Sequence, residues 1–136
     1  MIYVDSSVLL ELYLGGKRAE EARTLLDEPE AKAASFLLMV EVPVVLRRAL
    51  SRPRDAPVLT RALERFDADV KGVALVDSLT DVGLRVRSDR RFARCRALDA
   101  VHVCTALLLR EWTGHAVRVV TFDDRLRELS TALGLA

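Results

Sequence analysis

Short apolar runs alternate with longer stretches of helical period along this chain. Ile2-Tyr3-Val4 is a compact apolar run and reads as a buried strand. A helix follows from about Ser7 to Leu14, stopped by Gly15-Gly16. Arg18 to Asp27 forms a second helix with Ala22, Leu25 and Leu26 on its inner face, and it ends before Pro29. Ala31 to Ser35 is a weak strand, placed by its position in the order. Phe36 to Leu50 is a long apolar helix. Pro43 falls inside it, removes an N–H, and predicts a kink or a freed carbonyl. Ser51-Arg52-Pro53-Arg54 is a turn, and Pro57 opens a helix that runs to Asp67.

The second half repeats the alternation. Val73 to Val76 is a strand introduced by Gly72, and Leu79 to about Ser88 is a helix. Arg90 to Arg96 is a loop or a short helix. Leu98 to Thr113 has a nearly all-apolar body, which marks a central helix, and Gly114 ends it. Val117 to Thr121 is the fourth strand, and Arg125 to Leu133 the last helix. Strands alternating with helices predict an α/β fold, a parallel sheet covered on both faces through right-handed crossovers.

Composition narrows the class. The 136 residues suit one domain spanning 1–136, and 51% hydrophobic content is enough for a real core. No basic N-terminal region precedes a long apolar stretch, and no run approaches a membrane span. Cys95 and Cys104 are too sparse for a zinc framework and read as free thiols, which points to a reducing, cytoplasmic setting. The net charge of +1 excludes a polycation. The basic residues are nonetheless clustered and nearly all arginine. Arg85, Arg87, Arg90, Arg91, Arg94 and Arg96 precede Asp99, and Arg47, Arg48, Arg52, Arg54, Arg61 and Arg65 follow Glu41. Arginine's planar fork suits phosphate. A solvated helix face is the plainer reading.

Four acids stand where acids are awkward. Asp5 ends the first predicted strand and Asp123 the fourth, so a parallel sheet delivers both to its carboxyl edge, where such sheets bind ligands. Asp5-Ser6-Ser7 also suits a helix N-cap, and the two roles are compatible. Glu41 is surrounded by apolar neighbours, so it must be paired, protonated or metal-bound. Pairing with an arginine is the commoner of these. Asp99 opens the central helix, where an acid complements the dipole. His102 lies a turn later on nearly the same face and reads as a hydrogen-bonded core residue. Of Asp123 and Asp124, one caps the final helix; the first is nearer the strand end and is the better site residue. Together the acids describe an all-oxygen site of the kind that suits Mg²⁺, with Mn²⁺ as a substitute.

Four segments carry a family resemblance. They are Ile-Tyr-Val-Asp-Ser-Ser-Val-Leu-Leu, Val-Glu-Val-Pro-Val-Val-Leu-Arg-Arg, Leu-Asp-Ala-Val-His-Val-Cys-Thr-Ala and Val-Val-Thr-Phe-Asp-Asp-Arg-Leu. In this order and spacing the chain resembles PIN-domain nucleases, specifically the VapC-type toxins of toxin–antitoxin pairs. The resemblance implies a three-layer α/β/α fold around a mainly parallel sheet of four or five strands. It implies Asp5, Glu41, Asp99 and Asp123 around Mg²⁺, with Asp5, Asp99 and Asp123 as ligands. It places the hydroxyls of Ser7 and Thr121 nearby as support. One departure is Val44, where family members often carry arginine.

The expected activity is therefore metal-dependent endoribonuclease action on cellular RNA, as the toxin of a type II pair. The expected partners are a cognate antitoxin, an RNA substrate, and a second copy in a homodimer, or a heterotetramer or octamer with antitoxin; no membrane is involved. The rivals are a PIN nuclease of RNA processing with no toxin role, and a non-catalytic α/β scaffold whose acids are caps and paired core charges.

Overall fold

A computed structural model of residues 1–136 shows four parallel strands in the spatial order β3-β2-β1-β4. The strands are β1 (Ile2–Val4), β2 (Lys32–Ser35), β3 (Val73–Val76) and β4 (Arg118–Val120). The helices are α1 (Ser6–Tyr13), α2 (Ala19–Asp27), α3 (Leu38–Ala49), α4 (Ala56–Asp69), α5 (Leu79–Ser88), α6 (Ala97–Thr113) and α7 (Asp124–Ala132). Single 3-10 turns occupy Pro53–Asp55, Val70–Gly72 and Arg90–Phe92. This is the expected α/β architecture, with four strands and every pairing parallel.

Side chains of a strand alternate between the faces of its sheet, and β1 shows the consequence. Ile2 and Val4 pack with Val8, Leu9, Ala34, Leu38, Val42, Leu46 and Phe66 from the α1–α4 side. Tyr3 points the other way and packs with Val103, Cys104, Leu107 and Leu126 from α6 and α7. Helices therefore cover both faces, which is what near-continuous apolar strands require. Helix α6 is buried without a break from His102 to Leu109. It ends at Gly114, whose φ of 68° is a left-handed cap that disfavours any side chain.

Two features position the site. First, β1 lies between β2 and β4, so the chain steps outward in one direction to β3 and then returns to the far side of β1. The reversal creates a switch point at the carboxyl ends of β1 and β4, where open sheets form crevices. The register pairs Val4 with Val120, so the next residues, Asp5 and Thr121, emerge side by side. Second, α3 continues through Pro43 in its second turn. The missing N–H leaves the Met39 carbonyl without its usual partner but does not break the helix. Glu41 is thereby kept in the first turn of α3, at the same edge of the sheet.

Candidate active site

Asp5 is the anchor. It is almost fully buried and caps α1, accepting from the Ser7 N–H at 3.2 Å. The same oxygen, Oδ2, accepts from the Ser7 hydroxyl at 2.5 Å and from the Thr121 hydroxyl at 2.9 Å. Each hydroxyl has one proton, so both are committed to Asp5. Their oxygens accept backbone N–H groups in turn, Phe122 onto Ser7 at 2.9 Å and Asp123 onto Thr121 at 3.0 Å. Ser7 and Thr121 thus brace Asp5 and the turn after β4. Oδ1 of Asp5 is left free of these bonds and lies 3.8 Å from Nε2 of His102.

Glu41 meets His102, not an arginine. Its Oε2 lies 2.9 Å from Nε2 of His102, whose Nδ1 lies 3.0 Å from the Tyr3 hydroxyl. His102 is buried and hydrogen-bonded, as its sequence context predicts, but its partner is an acid of the candidate site. Burial pulls the imidazole pKa down; the Glu41 hydrogen bond and the charges of Asp5, Glu41 and Asp99 outweigh it and raise the pKa.

Asp99 stands in the first turn of α6 and takes no hydrogen bond. Burial, with the negative charges of Asp123 and Asp5, holds its carboxyl above the ordinary range, against the opposing pull of Arg96 and His102. Asp123 caps α7 through Oδ1, which accepts from the N–H groups of Arg125 at 2.8 Å and Leu126 at 3.3 Å. Its second oxygen is uncommitted. Asp124 points outward and pairs with Arg127 at 2.7 Å.

Comparison with known proteins shows the family. The family model described as PIN domain matches residues 2–131. The chain belongs to the PIN-domain family. It is also 30% identical to "Ribonuclease VapC46" of Mycobacterium tuberculosis (strain ATCC 25618 / H37Rv), over 139 residues covering 99% of this chain and 94% of that protein. That likeness sets it among the VapC-type PIN ribonucleases.

Within this PIN domain, no group of three acidic, histidine or cysteine side chains is placed as it stands to hold a metal ion, so there is no ready-made cage. The donor set still suits a hard cation. Asp99 offers two oxygens, Asp5 and Asp123 one free oxygen each, and no thiolate competes. Mg²⁺ keeps several waters and needs only one or two direct carboxylates, so a closed cage is not required. The carboxyl of Asp99 is raised first by burial and then by the charge of Asp123, and a divalent ion would relieve the second of these.

The arginines divide into two kinds. Arg85 bridges Glu111 at 2.9 Å and Asp89 at 3.5 Å, and Arg91 clasps Asp89 through its side chain and its N–H. Of the clustered arginines, these two serve structure. Arg90, Arg94 and Arg96 are exposed and make no ion pair, and Arg96 immediately precedes α6. Val44, where an arginine was expected, is an exposed apolar side chain.

One participant escaped sequence reasoning. Tyr3 was read only as part of an apolar strand. Its fully buried hydroxyl accepts the Ser35 N–H at 3.0 Å and meets His102. The available signal was chemical: a buried tyrosine needs a partner for its O–H.

Proposed function

We propose that this chain is a Mg²⁺-dependent endoribonuclease, the toxin of a type II toxin–antitoxin pair, with Mn²⁺ able to substitute. The observation that carries the reading is the PIN-domain match over residues 2–131, with Asp5 and Asp123 following the paired ends of β1 and β4 at the switch point of the sheet. Asp5, Asp99 and Asp123 would hold the metal, directly or through water. A bound Mg²⁺ would lower the pKa of a water and offset charge on the scissile phosphate.

The chain's own residues do the positioning. Ser7 and Thr121 pin one oxygen of Asp5, so the other keeps a fixed direction. Glu41 is held through one oxygen by His102, and its second oxygen accepts a proton from an attacking water. The unpaired Arg90, Arg94 and Arg96 flank Asp99 and receive the RNA backbone.

A protein partner has a surface available. Phe36 and Leu79 are more than half exposed and line one shallow cavity with Val101, beside the edge that carries Glu41 and Asp99. Val40 and Leu98 are equally bare and lie on the same helices as Glu41 and Asp99. Exposed apolar groups at this density mark a binding face. We assign it to the antitoxin or to a second copy in a homodimer, within a soluble, cytoplasmic complex; no helix is long and apolar enough to cross a membrane.

The test is brief expression of the wild type and of Asp5→Asn, followed by sequencing of RNA ends. New 5′ ends in the wild type alone support the reading. Identical ends in both sink it. A non-catalytic scaffold, which the lack of a closed acid cage would favour, would show no saturable Mg²⁺ or Mn²⁺ binding by calorimetry.

A further inference from the structure

Tyr3 and His102 lie behind Glu41 as a buried polar line. The Tyr3 hydroxyl is 3.0 Å from the Ser35 backbone nitrogen and 3.0 Å from His102 Nδ1, and His102 Nε2 is 2.9 Å from Glu41 Oε2. Counting protons orders the line. A backbone N–H can only donate, so the Tyr3 oxygen accepts from Ser35. The acceptor in reach of the phenol's own proton is then Nδ1. With Nδ1 occupied as an acceptor, a neutral imidazole carries its proton on Nε2, pointed at Glu41. The other tautomer would set a bare Nε2 against a carboxylate oxygen and strand two protons between Tyr3 and Nδ1. That arrangement leaves buried polar groups unsatisfied and is disfavoured. An imidazolium would also donate from Nε2, so Glu41 meets a donor in either charge state.

We propose that Tyr3 is a positioning residue: through Nδ1 of His102 it fixes the Nε2–H tautomer, and so holds Glu41 by one oxygen with the other turned to the site. This rests on the reading of Glu41 as part of a nuclease centre. The strand–helix contact is indirect, for Tyr3 is on β1 and Glu41 on α3, and the two share no hydrogen bond. Tyr3 and His102 meet edge to face, ring centroids 6.1 Å apart at 74°, so the ring packing survives loss of the hydroxyl.

The experiment has a structural arm and a kinetic arm. In the first, the full chain is labelled with ¹⁵N-histidine and studied by NMR in EDTA at alkaline pH, where the imidazole is neutral. His102 should show a protonated Nε2 and a bare Nδ1, with exposed His115 as an internal reference. Tyr3→Phe should raise the share of the Nδ1–H form, which Glu41 alone then opposes. A protonated Nδ1 in the wild type, or an unchanged spectrum in Tyr3→Phe, overturns the proposal. The wild-type spectrum decides this even if Tyr3→Phe folds poorly.

In the second arm, at the same alkaline pH, Tyr3→Phe should lower kcat on RNA about tenfold with KM held, less than the roughly hundredfold or greater loss expected when a general base is removed. His102→Gln, whose amide nitrogen can stand where Nε2 stands, should recover most of the activity that His102→Ala loses; His102→Asn should not. If Gln and Ala are equally poor, the donor to Glu41 is not what matters and the proposal fails. A wild type that never cleaves RNA in Mg²⁺ or Mn²⁺ overturns the nuclease reading instead, and leaves the tautomer to be decided by the spectra.

Discussion

Thr121 Oγ1 lies 2.9 Å from Asp5 Oδ2, tying together the ends of two neighbouring parallel strands. The bond divides Asp5 into two halves. Oδ2 belongs to the fold, where it also caps α1, and Oδ1 is available for chemistry. Under the proposed function one carboxylate would be both brace and ligand, so the two readings of Asp-Ser-Ser are compatible.

Asp5→Asn should therefore abolish RNA cleavage with little effect on folding. The amide oxygen can keep the cap and accept both hydroxyls, while its NH₂ replaces the oxygen that faces the site. Relief of repulsion among the acids favours the variant; weaker acceptance from Ser7 and Thr121 opposes it. The net change in unfolding free energy should stay within about 1 kcal/mol. Urea denaturation and circular dichroism check the fold, and a cleavage assay checks the activity. A fully active variant would remove Asp5 from the site.

Divalent metal should raise the melting temperature, because it binds the folded chain and not the unfolded one. Asp99→Asn and Asp123→Asn should each shrink that shift. Asp124→Asn should leave it intact, since its carboxylate is turned outward onto Arg127. Without metal, Asp99→Asn should be neutral or mildly stabilising, since it removes a carboxyl already held above its ordinary pKa by burial and by Asp123. Asp123→Asn should cost up to about 1 kcal/mol through the α7 cap. Calorimetric scans with Mn²⁺ and with EDTA separate these cases. A larger loss of metal shift in Asp124→Asn than in Asp123→Asn would reverse the choice between the two.

How much of this could be read from the chain alone follows from what is local. β1, β3 and α5 coincide with the predicted spans, and the other strands and α-helices begin and end within two residues of theirs, because apolar period, Pro and Gly are local signals. The places of Asp5, Asp99 and Asp123 in the fold were legible because each sits where a strand meets a helix or a helix starts. What was hidden depends on pairing across distance. Glu41 reaches His102 over 61 residues, and Tyr3 reaches it over 99. No period in either segment encodes that meeting, so an arginine was the reasonable partner to expect for Glu41. The sorting of arginines was hidden for the same reason, since Arg85 finds Glu111 only once α5 lies along α6.

Asp89 should act on the site without touching substrate. The Arg91 side chain, the Arg91 N–H and Arg85 hold its carboxyl well below the usual range. Its folded pKa is depressed, so its contribution to stability is present above the unfolded value of about 3.9 and fades as pH falls below that. At neutral pH the pair is intact and fixes the turn that leads to Arg94 and Arg96. Asp89→Asn should loosen this turn and weaken RNA binding a few-fold at pH 7, with the acid limb of the stability profile flattened. Hydrogen exchange across residues 89–96 checks the first effect and pH-dependent denaturation the second. Unchanged exchange would show that the turn is held by Phe92 packing alone.

RNA affinity should fall steeply with salt, and the steepness should reside in the unpaired arginines. Each arginine–phosphate contact releases condensed counterions, with a slope of about −0.7 per contact on single strands. Arg90 and Arg94 are exposed and unpaired, whereas Arg91 is bound to Asp89. Arg90→Ala with Arg94→Ala should flatten the slope by roughly 1.4, two contacts' worth. Arg91→Ala should change it less, and Arg96 is best left in place because it also pulls down the carboxyl of Asp99. Fluorescence titrations of a labelled RNA across a salt series, in EDTA to prevent cleavage, measure these slopes directly. Should the double variant keep the wild-type slope, the backbone is held elsewhere. Arg47 and Arg48 are then the next place to look, exposed and unpaired in the last turn of α3, with Arg52 just beyond it.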